Sequence, residues 1–524
     1  MKLEDRGLKN HKKDGLLEKL KKYGQSDYYP LHMPGHKRQN MRDWGIEFPD
    51  PFSIDITEID GFDNLHHAEG ILKESMEYAA GVYGADRSYY LVNGSTSGLL
   101  SSISAVTSHG GSILMGRNCH KAAYHAVFLN QLRMEYIYPQ YIDKYGVQGG
   151  LLLEDLEEKL KTSKFEAVLV VSPTYDGVVS DIAGIARLVH SYGIPLIVDE
   201  AHGAHLPFGE DFPKSALDLG ADLVIQSLHK TLPSFTQTAI LHAKSSLVDL
   251  EKLERYLQIY QTSSPSYLFM ASMDSCVHRM QEIGRERMHV FYERLMKFYR
   301  QMEALEHIQI MREDIVGNYG VCGWDSSKVV ISMKKTGKTG PWLMEMLREQ
   351  YHMELEMCQE SYGLAIMTVC DVEEGFSRLG EALLEIDQLL KERDKEIEEV
   401  KKVETDKEED ETGTENQEID KVYRERCANS KFVDNALQIS KSCGQDMILY
   451  EALSKMKEKI IMTDSVGRIS AGFVSVYPPG IPLLVPGQRI NQEMIELFEL
   501  YQIDGIEVQG IDEYGCIQVV KFDD

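Results

Sequence analysis

The chain has eight cysteines in 524 residues, and no two of them form a C-x-x-C pair. That scatter argues against a disulfide frame or a cysteine zinc site and fits thiols kept reduced. No apolar run is long enough to span a bilayer, so no membrane partner is expected. Met1 to Lys22 is charged throughout and lacks the apolar segment of a secretory leader. Basic residues are outnumbered, 56 Lys and Arg against 83 Asp and Glu, for a net charge of -27. Nucleic-acid binding needs a clustered basic face, so no such partner is expected either. These absences together predict a cytoplasmic protein. There is no H-E-x-x-H, and the stretch 55–70 (Asp55, Glu58, Asp60, Asp63, His66, His67, Glu69) has no metal-ligand spacing, so no metal is expected. It reads as a polar rim or a solvated loop.

What is present is a regular alternation. Over about 70–240 short apolar runs alternate with helical patterns, which predicts an α/β domain with a largely parallel sheet and right-handed crossovers. The runs are Tyr89 to Val92, Ser112 to Met115, Ala167 to Val171, Pro195 to Val198, Leu223 to Ile225 and Thr238 to His242. The third is apolar on both faces, as a central parallel strand should be. Between the first run and its helix lies Asn93-Gly94-Ser95-Thr96-Ser97-Gly98. Glycines and hydroxyls at a helix start suit an anion, because backbone N–H groups and the helix dipole point at it. A plain serine or threonine cap is the simpler alternative.

After Asp274 the texture changes. A long helical region, about 275–305, leaves the sheet. Val329 to Ser332, a helix near 341–351 and strands at Glu354 to Met357 and Gly363 to Val369 follow, an α+β pattern. Leu379, Leu383, Ile386 and Leu390 mark one face of a further helix. From Lys401 to Asp420 there are nine acidic and three basic residues and almost nothing apolar, which predicts a disordered insert. Order is expected again near Val433. Val476-Tyr477-Pro478-Pro479-Gly480-Ile481-Pro482 is a stiff strand-to-turn element, either a structural corner or the wall of a pocket. The expected division is a helical arm over 1–27, a large domain over 28–274, a small domain over 275–395, the insert over 396–430 and a C-terminal domain over 431–524.

Two residues carry the chemistry. Lys230, in Ser227-Leu228-His229-Lys230-Thr231, lies just past a strand's carboxyl end, where open α/β sheets keep their ligands. Asp199 ends an earlier all-apolar strand, where a carboxylate is costly unless paired. A lysine that can condense with an aldehyde, and an aspartate that can keep a pyridine nitrogen protonated, are the pair that pyridoxal phosphate needs.

The PGH turn at 34–36, NGSTSG, RNCHK at 117–121, PTYDG at 173–177, VDEAHGAH at 198–205, SLHK, and YPPGIP followed by Pro486-Gly487 stand in that order. As a set they resemble the pyridoxal-phosphate-dependent ornithine/lysine/arginine decarboxylases, over about residues 28–500 apart from the acidic insert. The resemblance implies a fold of type I, like that of the aspartate aminotransferases, with a mostly parallel seven-stranded-type sheet and smaller α+β domains after it. It implies pyridoxal 5'-phosphate held by Lys230, with Asp199 on the ring nitrogen. His120 would stack on the ring, Ala201 would pack its other face and His202 would lie near its phenolic oxygen. Ser95, Thr96, Ser97 and Ser227 would bind the phosphate. His229 would act on the substrate carboxylate or the reprotonated carbon, and His36 and Gln488 would belong to the substrate pocket. The Thr262-Ser263-Ser264-Pro265-Ser266 stretch resembles a segment used across a dimer interface, which implies a homodimer with shared sites.

Two departures stand out. Only about thirty residues precede the PGH turn, so the chain looks like a short form without the wing domain of larger members. Gln488 stands where the family often has Glu, which bears on the substrate more than on the reaction. The activity implied is decarboxylation of a basic amino acid, arginine first, then lysine or ornithine, on a polyamine-forming route. An aminotransferase or other lyase on the same fold, and a catalytically silent homologue, are the alternatives.

Overall fold

The computed structural model describes residues 15–405, 436–477 and 480–522. Seven strands build the central sheet: β1 (Arg87–Leu91), β2 (Ser112–Gly116), β3 (Arg133–Ile137), β4 (Ala167–Val171), β5 (Leu196–Asp199), β6 (Leu223–Gln226) and β7 (Ala239–Ala243). Their order is β1-β7-β6-β5-β4-β2-β3. The pairs β6 with β5, β5 with β4, β4 with β2, and β2 with β3 are parallel. β7 runs antiparallel to both β6 and β1 and is the one reversed strand.

The strands are apolar throughout because both faces are covered. Val168 and Val170 join one core cluster, with Leu114, Leu196, Val198 and Val224. Their neighbours Ala167 and Leu169 join the other, with Ile113, Met115, Ile197 and Ile225. Alternate residues of one strand thus feed two separate cores, the period-two geometry of a sheet between helical layers.

A helix Tyr267–Gln301, 35 residues long, leaves the sheet and packs along the helix Glu373–Thr405. The expected boundary at 396 therefore falls inside a helix whose backbone runs on to Thr405. The rest of the expected insert, 406–430, lies outside the described residues. The small domain is a four-stranded antiparallel sheet of Gln309–Ile310, Lys328–Ser332, Tyr362–Ile366 and Met357–Cys358. The single strand expected over Glu354 to Met357 is two, Met353–Leu355 and Met357–Cys358, broken at Glu356. Met353–Leu355 pairs in parallel with Tyr29–Leu31, so residues 29–31 join the small domain and not the large sheet.

The C-terminal domain packs the helices Ala436–Ser442 and Gln492–Ile503 and five short strands around their own core, with Leu484, Met494, Phe498 and Val519 fully buried. Near the amino terminus Leu16–Gly24 is helical. Leu16, Leu17 and Leu20 on it are exposed among the described residues.

Candidate active site

The carboxyl ends of β4, β5 and β6 open into a cavity of about 490 Å³, closed by the small and C-terminal domains. Lys230 lies on a one-turn helix, Leu228–Thr231, directly after β6. Its Nζ is 2.9 Å from His202 Nε2. Burial lowers the lysine's pKa, opposed by the carboxylates of Asp199 and Glu356. His202 is driven well below the usual imidazole range by burial and then by Lys230. The ring is therefore neutral and accepts from the ammonium, and its Nδ1 has no partner among the described residues. The Tyr175 ring lies tilted against His202 at 4.3 Å.

Asp199 closes β5 and is 6% exposed. Its Oδ1 accepts from the Ala201 N–H at 3.2 Å, and burial raises its pKa against the pull of Lys230. Both Asp199 and Ala201 line the cavity.

The turn after β1 meets the cavity through Asn93, Gly94, Ser95 and Thr96. Gly94 has φ +70, a left-handed conformation that admits glycine at no steric cost, and it starts the helix Gly94–Val106. Ser95 Oγ and Ser227 Oγ stand 2.6 Å apart, so two separate loops bring hydroxyls to the start of this helix. Ser97 does not join them. Its hydroxyl donates to the Gly94 carbonyl at 2.8 Å, and the side chain is buried away from the cavity.

His120 caps the helix Lys121–Leu129 by accepting from the Ala122 N–H at 3.2 Å, and its ring lines the cavity. Burial, then the charge of Lys230, lowers it to about 4, so it is neutral. Its neighbours come from the C-terminal domain: the Lys121 N–H donates to the Gly480 carbonyl at 3.2 Å, and Tyr477 and Ile481 line the same wall. The stiff element is thus a pocket wall at those residues, while Pro478 and Pro479 lie outside the described residues. Arg117 fixes that wall. It is wholly buried, and its fork donates to the carbonyls of Pro482 and Leu483 at 2.5 and 2.9 Å and to Ser440 Oγ at 2.6 Å.

His229 lines the cavity, with Nδ1 2.8 Å from the Thr238 carbonyl. A carbonyl only accepts, so Nδ1 carries the hydrogen and Nε2 keeps its lone pair. Burial holds this ring at about 4.

Two residues expected in the substrate pocket are elsewhere. Gln488 is 1% exposed and sits inside the C-terminal domain. Its Oε1 accepts from the Val485 N–H at 2.8 Å, and its Nε2 donates to the carbonyls of Ser440 and Cys443 at 3.3 and 3.2 Å. The whole amide is used in holding that domain together. His36 does not line the cavity, and its Nδ1 accepts from the Arg38 N–H at 3.1 Å. The PGH turn contributes through its backbone instead, where the Gly35 N–H donates to the His229 carbonyl at 2.6 Å.

The sequence reading missed three acids that line the cavity, Glu356, Glu360 and Asp176. Glu356 accepts from the Tyr175 hydroxyl and from the Met33 N–H at 2.8 Å. Asp176 accepts from the Tyr362 hydroxyl at 2.7 Å. Among the described residues, no arginine lines the cavity.

A cavity-lining lysine and a buried aspartate at neighbouring strand ends, beside a helix start dressed with hydroxyls, are the layout of a fold type I pyridoxal-phosphate enzyme. Residues 15–328 match the Orn/Lys/Arg decarboxylase major domain, and residues 442–510 match the Orn/Lys/Arg decarboxylase C-terminal domain. The chain belongs to this family of amino-acid decarboxylases, and use of pyridoxal phosphate comes with membership. It is 31% identical over 514 residues to the arginine decarboxylase of Bacillus subtilis (strain 168), covering 96% of each chain. It is 29% identical over 512 residues to the arginine decarboxylase of Bacillus anthracis, covering 97% of each. The crystal structure of the lysine decarboxylase of Francisella novicida superposes with a TM-score of 0.73 at 20% identity, over 96% of this chain and 80% of that one, which shows a shared fold. No helix among the described residues is long and apolar enough to cross a membrane.

Proposed function

We propose that the chain decarboxylates a basic amino acid, with pyridoxal 5'-phosphate held by Lys230, and that arginine is the preferred substrate ahead of lysine and ornithine. The observation that carries this is one cavity in which Lys230, Asp199, His120 and His229 converge beside three further acidic residues, Asp176, Glu356 and Glu360, and no arginine. An aminotransferase usually clamps the substrate's α-carboxylate with an arginine, so the lining disfavours that reaction. The preference for arginine rests on the relatives named arginine decarboxylases.

The residues present fit the cofactor. Among the described residues, the hydroxyls of Ser95 and Ser227 bond only each other, at a helix start suited to a phosphate, and Thr96 lies beside them. The Asp199 carboxylate is buried with one backbone donor and would hold a protonated ring nitrogen. His120 is neutral and would lie against the ring, and Ala201 would leave room for its other face. His202 would sit near the ring's phenolic oxygen, where its free Nδ1 and its bond to Lys230 are both available. When bound, pyridoxal phosphate supplies the electron sink that accepts the pair left by departing carbon dioxide.

The protein's own part is positioning and proton handling. Lys230 lines the cavity, and the lowering of its pKa by burial favours the neutral amine that acts as a nucleophile. His229, with Nδ1 pinned to Thr238, lines the cavity as a neutral ring whose Nε2 is left as an acceptor, and would act on the substrate carboxylate or beside the reprotonated carbon. A homodimer, with the segment Thr262 to Ser266 at the interface, and a cytoplasmic location complete the reading. In this chain the Thr262 N–H donates to Asn93 Oδ1 at 3.3 Å, beside the phosphate loop. The test is amine analysis of purified holoenzyme offered arginine, lysine and ornithine separately. Agmatine, cadaverine or putrescine should accumulate. A keto acid in place of an amine would overturn the proposal.

A further inference from the structure

Two tyrosine–carboxylate hydrogen bonds cross between the turn after β4 and the small domain. Tyr175 donates to Glu356, and Tyr362 donates to Asp176 at 2.7 Å. All four side chains line the cavity. The two acids differ in what balances them. Glu356 has a second donor, the Met33 N–H, and the charges of Lys37 and Lys230 act on it. Asp176 is 6% exposed and has the Tyr362 hydroxyl alone. Its Oδ2 has no partner, and no cation pairs with it, among the described residues.

A carboxylate buried without a counter-charge is costly, and it persists where a cation arrives from outside. Burial pushes Asp176 up to about 6, so it is largely ionised at neutral pH. The cavity that reaches Lys230 also reaches Asp176, and an amino acid bound at Lys230 has only its distal end left to occupy the rest of the space.

We infer that Asp176, braced by Tyr362, receives the distal cation of the substrate and so selects basic over neutral amino acids. This rests on the decarboxylase reading above. A guanidinium can bond Oδ2 and the remaining lone pair of Oδ1 together, whereas an ammonium is a point charge that gains less from the pair.

The test is Asp176→Asn, which keeps the shape and removes the charge. Bound-cofactor absorbance and the melting temperature serve as checks on the fold. KM for arginine should rise on the order of 100-fold, while kcat changes less than about threefold. Agmatine binding to the holoenzyme, followed by calorimetry, should weaken by a similar factor. Tyr362→Phe should move both quantities in the same direction by a smaller factor. Unchanged KM and unchanged agmatine affinity in Asp176→Asn would overturn the inference, as would a loss confined to kcat. If the wild-type protein released no carbon dioxide from any basic amino acid, the reaction reading would fail. The agmatine titration would still decide the role of Asp176.

Discussion

Lys230 Nζ donates to His202 Nε2 at 2.9 Å, and the imidazole that accepts is neutral because burial and that same lysine suppress its protonation. The pair sets how readily the amine gives up its proton. His202→Phe should therefore slow turnover on the order of 100-fold while the cofactor stays bound. His202→Asn, which can still accept a hydrogen bond, should lose less. Equal kcat in wild type and His202→Phe would remove this role.

Asp199→Asn should cost more. The carboxylate is the buried negative charge at the end of β5, and an amide of the same shape cannot hold a protonated ring nitrogen. A fall in kcat of about 1,000-fold or more is expected, with little change in melting temperature. Steady-state kinetics and a thermal scan on one preparation check both halves.

Glu200, next in the chain, gives a pH signature of stability. It accepts from Ser215 Oγ, the Ala216 N–H and Gln226 Nε2, yet burial raises it from the ordinary 4.5 to about 7. Between those values the folded chain keeps a proton that the unfolded chain has released. The contribution of this group is thus fully present below about pH 4.5, is lost as pH rises through 7, and is flat beyond. Glu200→Gln should be less stable overall, because its amide N–H₂ meets donors, but the difference from wild type should shrink from pH 4.5 to 7. Denaturant midpoints across that range measure it. A constant difference would contradict the assignment.

Arg117→Met should loosen the C-terminal domain. Two carbonyls and a hydroxyl of that domain lose their donor together, a cost of about 3 kcal/mol. The check is faster proteolysis within 436–505, with the large domain still resistant. Unchanged cleavage there would place the anchoring elsewhere.

Much of this site was legible from residue types at strand ends. Asp199 stood out because an acid closing an all-apolar strand needs a partner, and Lys230 because it follows the next such strand. Ser97 stands apart from Ser95 and Thr96 because three hydroxyls in a row do not share a direction: the helix turn sends Ser97 back onto the Gly94 carbonyl. Gln488 was placed by family position, and no sequence pattern shows that its amide would be consumed by Val485, Ser440 and Cys443. Glu356 was hidden by its own alternation. In Met353-Glu354-Leu355-Glu356-Met357 the acids take every second place, the pattern of a strand with one wet face. The strand breaks at Glu356 instead, and that side chain meets the cavity. Asp176 lies in a turn, where acids are commonplace, and only the packing of Tyr362 on it reveals its burial.

The most direct measurement is carbon dioxide release from arginine by the cofactor-loaded wild-type protein and by Lys230→Ala. The account predicts sustained release by the wild type and a loss of at least about 1,000-fold in the variant. Release that survives the loss of Lys230, or none from the wild type with arginine, lysine or ornithine, would contradict it.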